Sequence, residues 1–265
     1  MSTAAVRSLA GVTAAVLAGG LGTRLRPAVA DRPKVLAPVL GRPFVAHLLD
    51  SLVAAGVRRI VLLTGWRGDE VRRALGDRHG DAELAYSEEP APLGTGGALR
   101  RAAAMLDTSP ILLLNGDSYL GADLGAFAAF HRRRCADASL ALTRVADAGR
   151  YGRVDASPAG RVTAFAEKAA GGGPGWVNAG VYLIRRRLVE EIPPGRPLSL
   201  ERDLLPAWAA TWAVYGRKAA GPFLDVGTPE SYAAAGDFFA ALAAAPRPPA
   251  AAPAGPPAKP TFTRF

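Results

Sequence analysis

Residues Thr13 to Pro27 read "TAAVLAGGLGTRLRP": an apolar run empties into Gly19, Gly20 and Gly22, and Arg24 and Arg26 follow at once. An apolar strand that ends in glycines lets backbone N–H groups come close to an anion. The loop is not a Walker A loop, because no Gly-Lys-Ser/Thr follows. It is not a dinucleotide loop either, since the third glycine position after Gly20 and Gly22 is Leu25. A tight strand-to-helix turn would explain the glycines alone. The arginines favour an anion, because a guanidinium fork matches phosphate oxygens.

Outward from this loop, apolar runs alternate with amphipathic stretches. "RRIVLLT", "AELAYSE" and "PILLLNGD" read as strands, with "PFVAHLLDSLVAAG", "GDEVRRALG" and "GGALRRAAAML" as the helices between them. Strands apolar nearly throughout predict a mostly parallel sheet covered by helices on both faces. "LGAFAAFHRRRCA" predicts a further helix and "ASLALTRV" a further strand. After Gly149 the rhythm changes. "YGRVDASPAGRVTAFAEK" reads as a hairpin turning at Ser157 to Gly160, "GWVNAGVYLI" as a strand and "SLERDLLPAWAA" as a helix. "PFLDVGTPESYAAAGDFFAAL" predicts a short strand and then a helix, with Thr228 at the N-cap and Pro229 at N1. The expected organisation is an N-terminal extension (1–12) and one domain (13–244), whose two parts cover about 13–145 and about 146–244. An Ala/Pro-rich tail (245–265) follows, read as disordered.

Composition narrows the class. No run approaches the roughly 18 apolar residues of a membrane span, and the N-terminus lacks the apolar core of a secretory signal. Cys135 is the single cysteine, and His47, His79 and His131 lie in unrelated contexts, which argues against a disulfide framework and zinc. A soluble cytoplasmic protein is the expectation, with a homo-oligomer left open. The net charge of +9 invites a nucleic-acid reading. However, the Arg groups (Arg58–Arg59, Arg72–Arg73, Arg132 to Arg134, Arg185 to Arg187) fall on helices or at strand ends and read as solvated surface, without interleaved aromatics. Of 32 basic residues 28 are Arg, so Lys34, Lys168, Lys218 and Lys259 each raise a question.

Ligands of open α/β sheets bind beyond the carboxyl ends of the strands. Lys34 stands between prolines in "DRPKVLAPV", a compact charge suited to a phosphate oxygen. In "EEPAPLGTGGALRRA", Thr95 is expected to cap a helix opened by Gly96 and Gly97, glycines that would let a flat base approach. Asp117 follows a buried strand and Asp225 follows another, so two carboxylates could share one Mg²⁺. Lys168 follows Glu167 at a strand end. Asn178 sits within an apolar strand and needs a partner, which a sugar hydroxyl could supply.

Taken together, "LAGGLGTRLRP", "RPKVLAPV", "PLGTGGAL", "LLLNGDSYL", "AFAEK", "WVNAGVYLI" and "FLDVGTPESY" resemble, in order and spacing, the sugar-phosphate nucleotidylyltransferases over Thr13 to Ala241. The resemblance implies a Rossmann-like nucleotidyltransferase fold with an added sugar-binding β-hairpin region, the part over about 13–145 binding the nucleotide and that over about 146–244 the sugar. The implied reaction joins a nucleoside triphosphate to a sugar 1-phosphate and releases pyrophosphate. It implies nucleotide contacts at Leu17, Ala18, Gly19, Gly20, Gly22, Thr23, Gly94, Thr95 and Gly116, and charge neutralisation by Arg24 and Lys34. Mg²⁺ would lie on Asp117 and Asp225, the sugar phosphate on Lys168, and the sugar hydroxyls on Gly152, Glu167 and Asn178. "PLGTGGA" and the short build are most like guanylyltransferases for D-glycero-α-D-manno-heptose 1-phosphate. Those for mannose 1-phosphate come next, and uridylyltransferases for N-acetylmuramate 1-phosphate share the build. No hexapeptide repeat is present, so no acyltransferase module is expected. A non-catalytic nucleotide-sugar sensor would be expected to lose the charged residues that this chain keeps.

Overall fold

The structure is a computed structural model that describes residues 9–25, 27–149, 151–166 and 172–244. Arg26, Glu167, Lys168, Lys259 and the tail expected over 245–265 lie outside the described residues. The first half alternates as its apolar runs predict: β1 (Thr13–Leu17), α1 (Phe44–Ala54), β2 (Arg59–Thr64), α2 (Gly68–Leu75), β3 (Ala82–Glu88), α3 (Gly94–Arg101) and β4 (Ile111–Asn115). Then come β5 (Ser118–Leu120), α4 (Leu124–Arg133), β6 (Ala138–Val145), the hairpin β7 (Arg153–Ala156) and β8 (Val162–Ala166), and β9 (Gly175–Ile184). The chain continues through α5 (Arg186–Glu190), a π-helical turn (Leu200–Leu204), α6 (Leu205–Thr211), β10 (Val214–Lys218), β11 (Phe223–Asp225), α7 (Pro229–Ala233) and α8 (Ala235–Ala244).

β3, β2, β1 and β4 are parallel neighbours in that order. Leu17 is level with Leu63 and with Asn115, so the three strands release their loops at one edge. Alternate residues feed opposite cores. Ala14, Val16, Ile60, Leu62, Leu112 and Leu114 pack on one face with α1 and α8. Ala15, Val61, Leu63, Ile111 and Leu113 pack on the other with α3, α5 and α6. Burial on both faces explains why these strands are apolar without alternation.

β9 continues the sheet antiparallel to β4. β6 and the hairpin lie antiparallel to β9, and β10 is parallel to β6. β11 belongs elsewhere: it pairs with β5 in a separate two-stranded sheet, setting Asp225 opposite Ser118. The expected cap holds, since Thr228 and Ser231 form a reciprocal capping box with Pro229 in the first turn. Among the described residues no helix is long and apolar enough to cross a membrane.

The basic pairs lie on the surface as the sequence suggests, and many meet acids there: Arg58 with Asp81, Arg59 with Glu83, Arg73 with Asp69. His131 is instead a core residue, 3% exposed, hydrogen-bonded to Ser139 Oγ at 2.9 Å. Burial, aided by the Arg185 charge, pushes its imidazole down from 6.5 to about 4. The unfolded chain takes up that proton near pH 6.5 and the folded chain only near 4. Stability is therefore full above this window and lost as pH falls through it, by about 3 kcal/mol. Denaturant titrations at pH 7 and pH 4.5 should show the loss in wild type and a shallower one in His131→Gln.

Candidate active site

Three segments meet where β1 and β4 end. Gly116 N donates to Leu17 O at 2.9 Å and Ala18 N to Leu63 O at 2.8 Å, holding the ends of β4 and β2 on either side of the end of β1. Lys34, mostly buried in a short 3₁₀ turn after Pro33, reaches Asp117 and donates from Nζ to Oδ2 at 2.7 Å. Gly22 lies over this lysine; a Cβ there would come within 3.2 Å of Lys34 Cβ. Val226 N donates to Asp117 O at 3.0 Å, which brings β11 and Asp225 alongside. Asp225 closes the short strand that its context predicts. It arrives on the small β5–β11 pair.

The electrostatics of this cluster are those of a charged-ligand site. Burial and the neighbouring Asp117 charge raise the Asp225 carboxyl, and Lys34, Arg24 and the Gly227 N–H oppose the rise. Arg24 is exposed on the glycine loop within the field of Asp225, with Gly20 and Thr23 exposed beside it. Among the described residues no group of three or more His, Cys, Asp or Glu side chains could hold a metal. Two carboxylates alone fit a hard cation that takes the rest of its shell from water and phosphate, which suits Mg²⁺ and not zinc. A half-buried carboxylate left short of positive charge is the observation in favour of that fit.

The loop expected to meet a base departs from that expectation. Thr95 is not an N-cap, because α3 begins at Gly94 after Leu93, with no side-chain cap. Its hydroxyl donates to Glu201 Oε2 at 2.8 Å and accepts from Leu200 N at 2.7 Å. Nor do the glycines wait only for a base. A Cβ on Gly94 (φ +70°) would lie 2.6 Å from Leu198 O, and one on Gly97 2.7 Å from Arg196 O. They admit the segment that leads into the π-helical turn.

Asn178 also has partners of its own: Nδ2 donates to Tyr182 OH at 2.8 Å, and Oδ1 accepts from Gly180 N at 3.1 Å. Gly152 is exposed just before β7. The neighbouring Tyr151 ring sits 6.0 Å from that of Phe223 on β11, which places Gly152 on the Asp225 side. Lys218 lies apart, its Nζ 4.9 Å from the Trp176 ring centroid.

Glu89 is the residue that sequence reasoning passed over. It accepts from Leu93 N through Oε2 at 3.0 Å, and Oε1 lies against the loop glycines, 3.1 Å from where a Cβ on Gly19 would be and 2.8 Å from one on Gly65. Burial raises its carboxyl. Strand parity could have found it: in β3 Glu88 is exposed and Ser87 buried, so the next inward position is 89.

Known proteins match this chain in sequence and fold. Residues 13–241 fit the family model described as nucleotidyl transferase. The chain is 39% identical over 226 residues to the mannose-1-phosphate guanylyltransferase of Mycobacterium tuberculosis, covering 83% of this chain and 62% of that protein. It is 33% identical to the D-glycero-alpha-D-manno-heptose 1-phosphate guanylyltransferase of Aneurinibacillus thermoaerophilus, covering 83% and 94%. The chain thus spans about three fifths of the length of the mannose-1-phosphate relative. HddC of Yersinia pseudotuberculosis, solved in complex with GMP-PN, superposes with a TM-score of 0.77 at 31% identity over 86% of this chain and 99% of that one. By sequence model, relatives and fold alike, this chain belongs to the nucleotidyl transferase family.

Proposed function

We propose that the chain is a Mg²⁺-dependent guanylyltransferase that joins GTP to a sugar 1-phosphate, with D-glycero-α-D-manno-heptose 1-phosphate as the first candidate and a cytoplasmic location. The observation that carries this is the convergence of Arg24, Lys34, Asp117 and Asp225 at the ends of β1 and β4. A sugar-phosphate oxygen attacks the α-phosphorus of GTP in line; the bond from that phosphorus to the bridging oxygen breaks, and pyrophosphate leaves. No protein nucleophile is required. The obstacle is repulsion, since each close pair of like charges costs several kcal/mol at an effective dielectric of roughly 20.

In this reading Lys34 holds the phosphates near the α position, while Arg24 faces the departing pyrophosphate, where negative charge grows. The backbone of the Leu17–Thr23 loop and of Gly116 cradles the triphosphate. Asp117 and Asp225 would hold Mg²⁺, which when bound neutralises phosphate charge. Lys168, Glu167, Gly152 and Asn178 are assigned to the sugar phosphate and its hydroxyls.

The Glu89 carboxylate suits guanine. A carboxylate only accepts hydrogen bonds, and guanine offers two adjacent donors, N1–H and the N2 amino group, where adenine offers an acceptor at N1. Glu89→Gln should therefore raise KM for GTP by about tenfold or more and narrow its margin over ATP and UTP. Unchanged nucleotide selectivity would remove Glu89 from the base site. Mannose 1-phosphate is the second reading, favoured by the 39% identity to the Mycobacterium tuberculosis protein. Pyrophosphate release from GTP, UTP and ATP with each of the two sugar phosphates tests the assignment, and activity only with UTP would move it to the uridylyl class.

A further inference from the structure

Two backbone irregularities converge beneath the sugar side of the site. In β9 the register with β6 shifts between Asn178 and Tyr182. Gly180 sits there at φ +72°, where a Cβ would lie 2.8 Å from Asn115 Nδ2 and 2.9 Å from Ser118 Oγ. Opposite, the π-helical turn Leu200–Leu204 carries Glu201. Bulges re-aim side chains near active sites, and π turns gather at functional positions.

The side chains so aimed form one directed chain of hydrogen bonds. Glu201 accepts from Tyr182 OH through Oε1 at 3.2 Å, and through Oε2 from Thr95 at 2.8 Å and Ser199 at 3.1 Å. The Tyr182 phenol O–H is the donor to this carboxylate. Its oxygen is then left to accept, and it takes the Asn178 amide N–H at 2.8 Å. Tyr182 is fully buried, and burial together with Glu201 raises its phenol, so it keeps the proton it donates. Asn178 therefore has its NH₂ toward Tyr182 and its carbonyl toward Gly180 N, with one N–H and one lone pair over.

We infer that Glu201 is a positioning residue for the sugar: through Tyr182 it fixes which way the Asn178 amide faces the sugar hydroxyls. The inference rests on the proposed assignment of Asn178 to the sugar. Through Thr95 the same carboxylate ties α3, on the nucleotide side, to β9.

Glu201→Gln, which can donate as well as accept, and Tyr182→Phe, which deletes the relay, test it. Each should raise KM for the sugar 1-phosphate by about tenfold while KM for GTP stays within about twofold. In an Asn178→Ala background Glu201→Gln should add little further loss, since the two act in series. Wild-type sugar KM in both variants, or full additivity with Asn178→Ala, would overturn the inference, as would an equal rise in KM for GTP.

A second readout is independent of turnover. The Asn178 side-chain NH₂ resonances, identified by their absence from Asn178→Ala, should be distinct and slowly exchanging in wild type and lose that protection in Glu201→Gln. If wild type turns over neither sugar phosphate, the functional reading fails while the NH₂ measurement still judges the relay. Identical NH₂ signals in the two proteins would refute it.

Discussion

In Asp225→Asn, turnover should fall by roughly a thousandfold while the melting temperature in metal-free buffer holds or rises. The two effects have opposite signs for one reason. Asp225 is a half-buried carboxylate whose ionisation is opposed first by burial and then by Asp117. An isosteric amide removes that charge and its cost, and with it one of the two carboxylates assigned to Mg²⁺ in the proposed function. Asp117→Asn should lose turnover as severely but gain nothing in stability, because its charge is paired with Lys34 at 2.7 Å. Circular-dichroism melts beside single-turnover rates would separate the two. Wild-type turnover in either variant would remove that residue from the metal site.

Lys34→Gln is the second large effect. Lys34 is the cation hydrogen-bonded to Asp117, and its charge also offsets the raised carboxyl of Asp225. Without it, kcat/KM should drop by roughly a hundredfold to a thousandfold, and stability by about 1–2 kcal/mol as Asp117 loses a charged hydrogen bond. Lys34→Gln combined with Asp117→Asn should restore most of the stability and none of the activity. Lys34→Arg should not rescue, since a planar fork cannot replace a point donor in a pocket whose lysine side chain is 11% exposed. Equal loss of stability in the double variant would show that Lys34 acts through packing.

The first half of the chain was legible because β1, β2 and β4 are buried on both faces, so their runs are apolar throughout and end abruptly at Gly19, Gly65 and Gly116. Asp117 and Asp225 stood out as carboxylates placed where apolar strands stop, and Lys34 as a rare lysine set between prolines in an Arg-rich chain. What the pattern did not carry was partnership over distance. β5 and β11 are three residues each, too short to show a period, so Asp225 read only as following a short strand, with no sign of its pairing to β5. Glu201 lies in a stretch that reads as an ordinary helix, and its tie to Thr95 spans 106 positions. Asn178 was rightly read as an amide in need of partners, but Tyr182, four residues on, supplies one.

The most direct measurement is ³¹P NMR of the protein with GTP, Mg²⁺ and either D-glycero-α-D-manno-heptose 1-phosphate or mannose 1-phosphate. The account predicts that a GDP-sugar diphosphate signal and free pyrophosphate grow in equal amounts, only when the sugar phosphate is present, and not in Asp117→Asn. A folded protein that leaves GTP, UTP and ATP untouched with both sugar phosphates would contradict it.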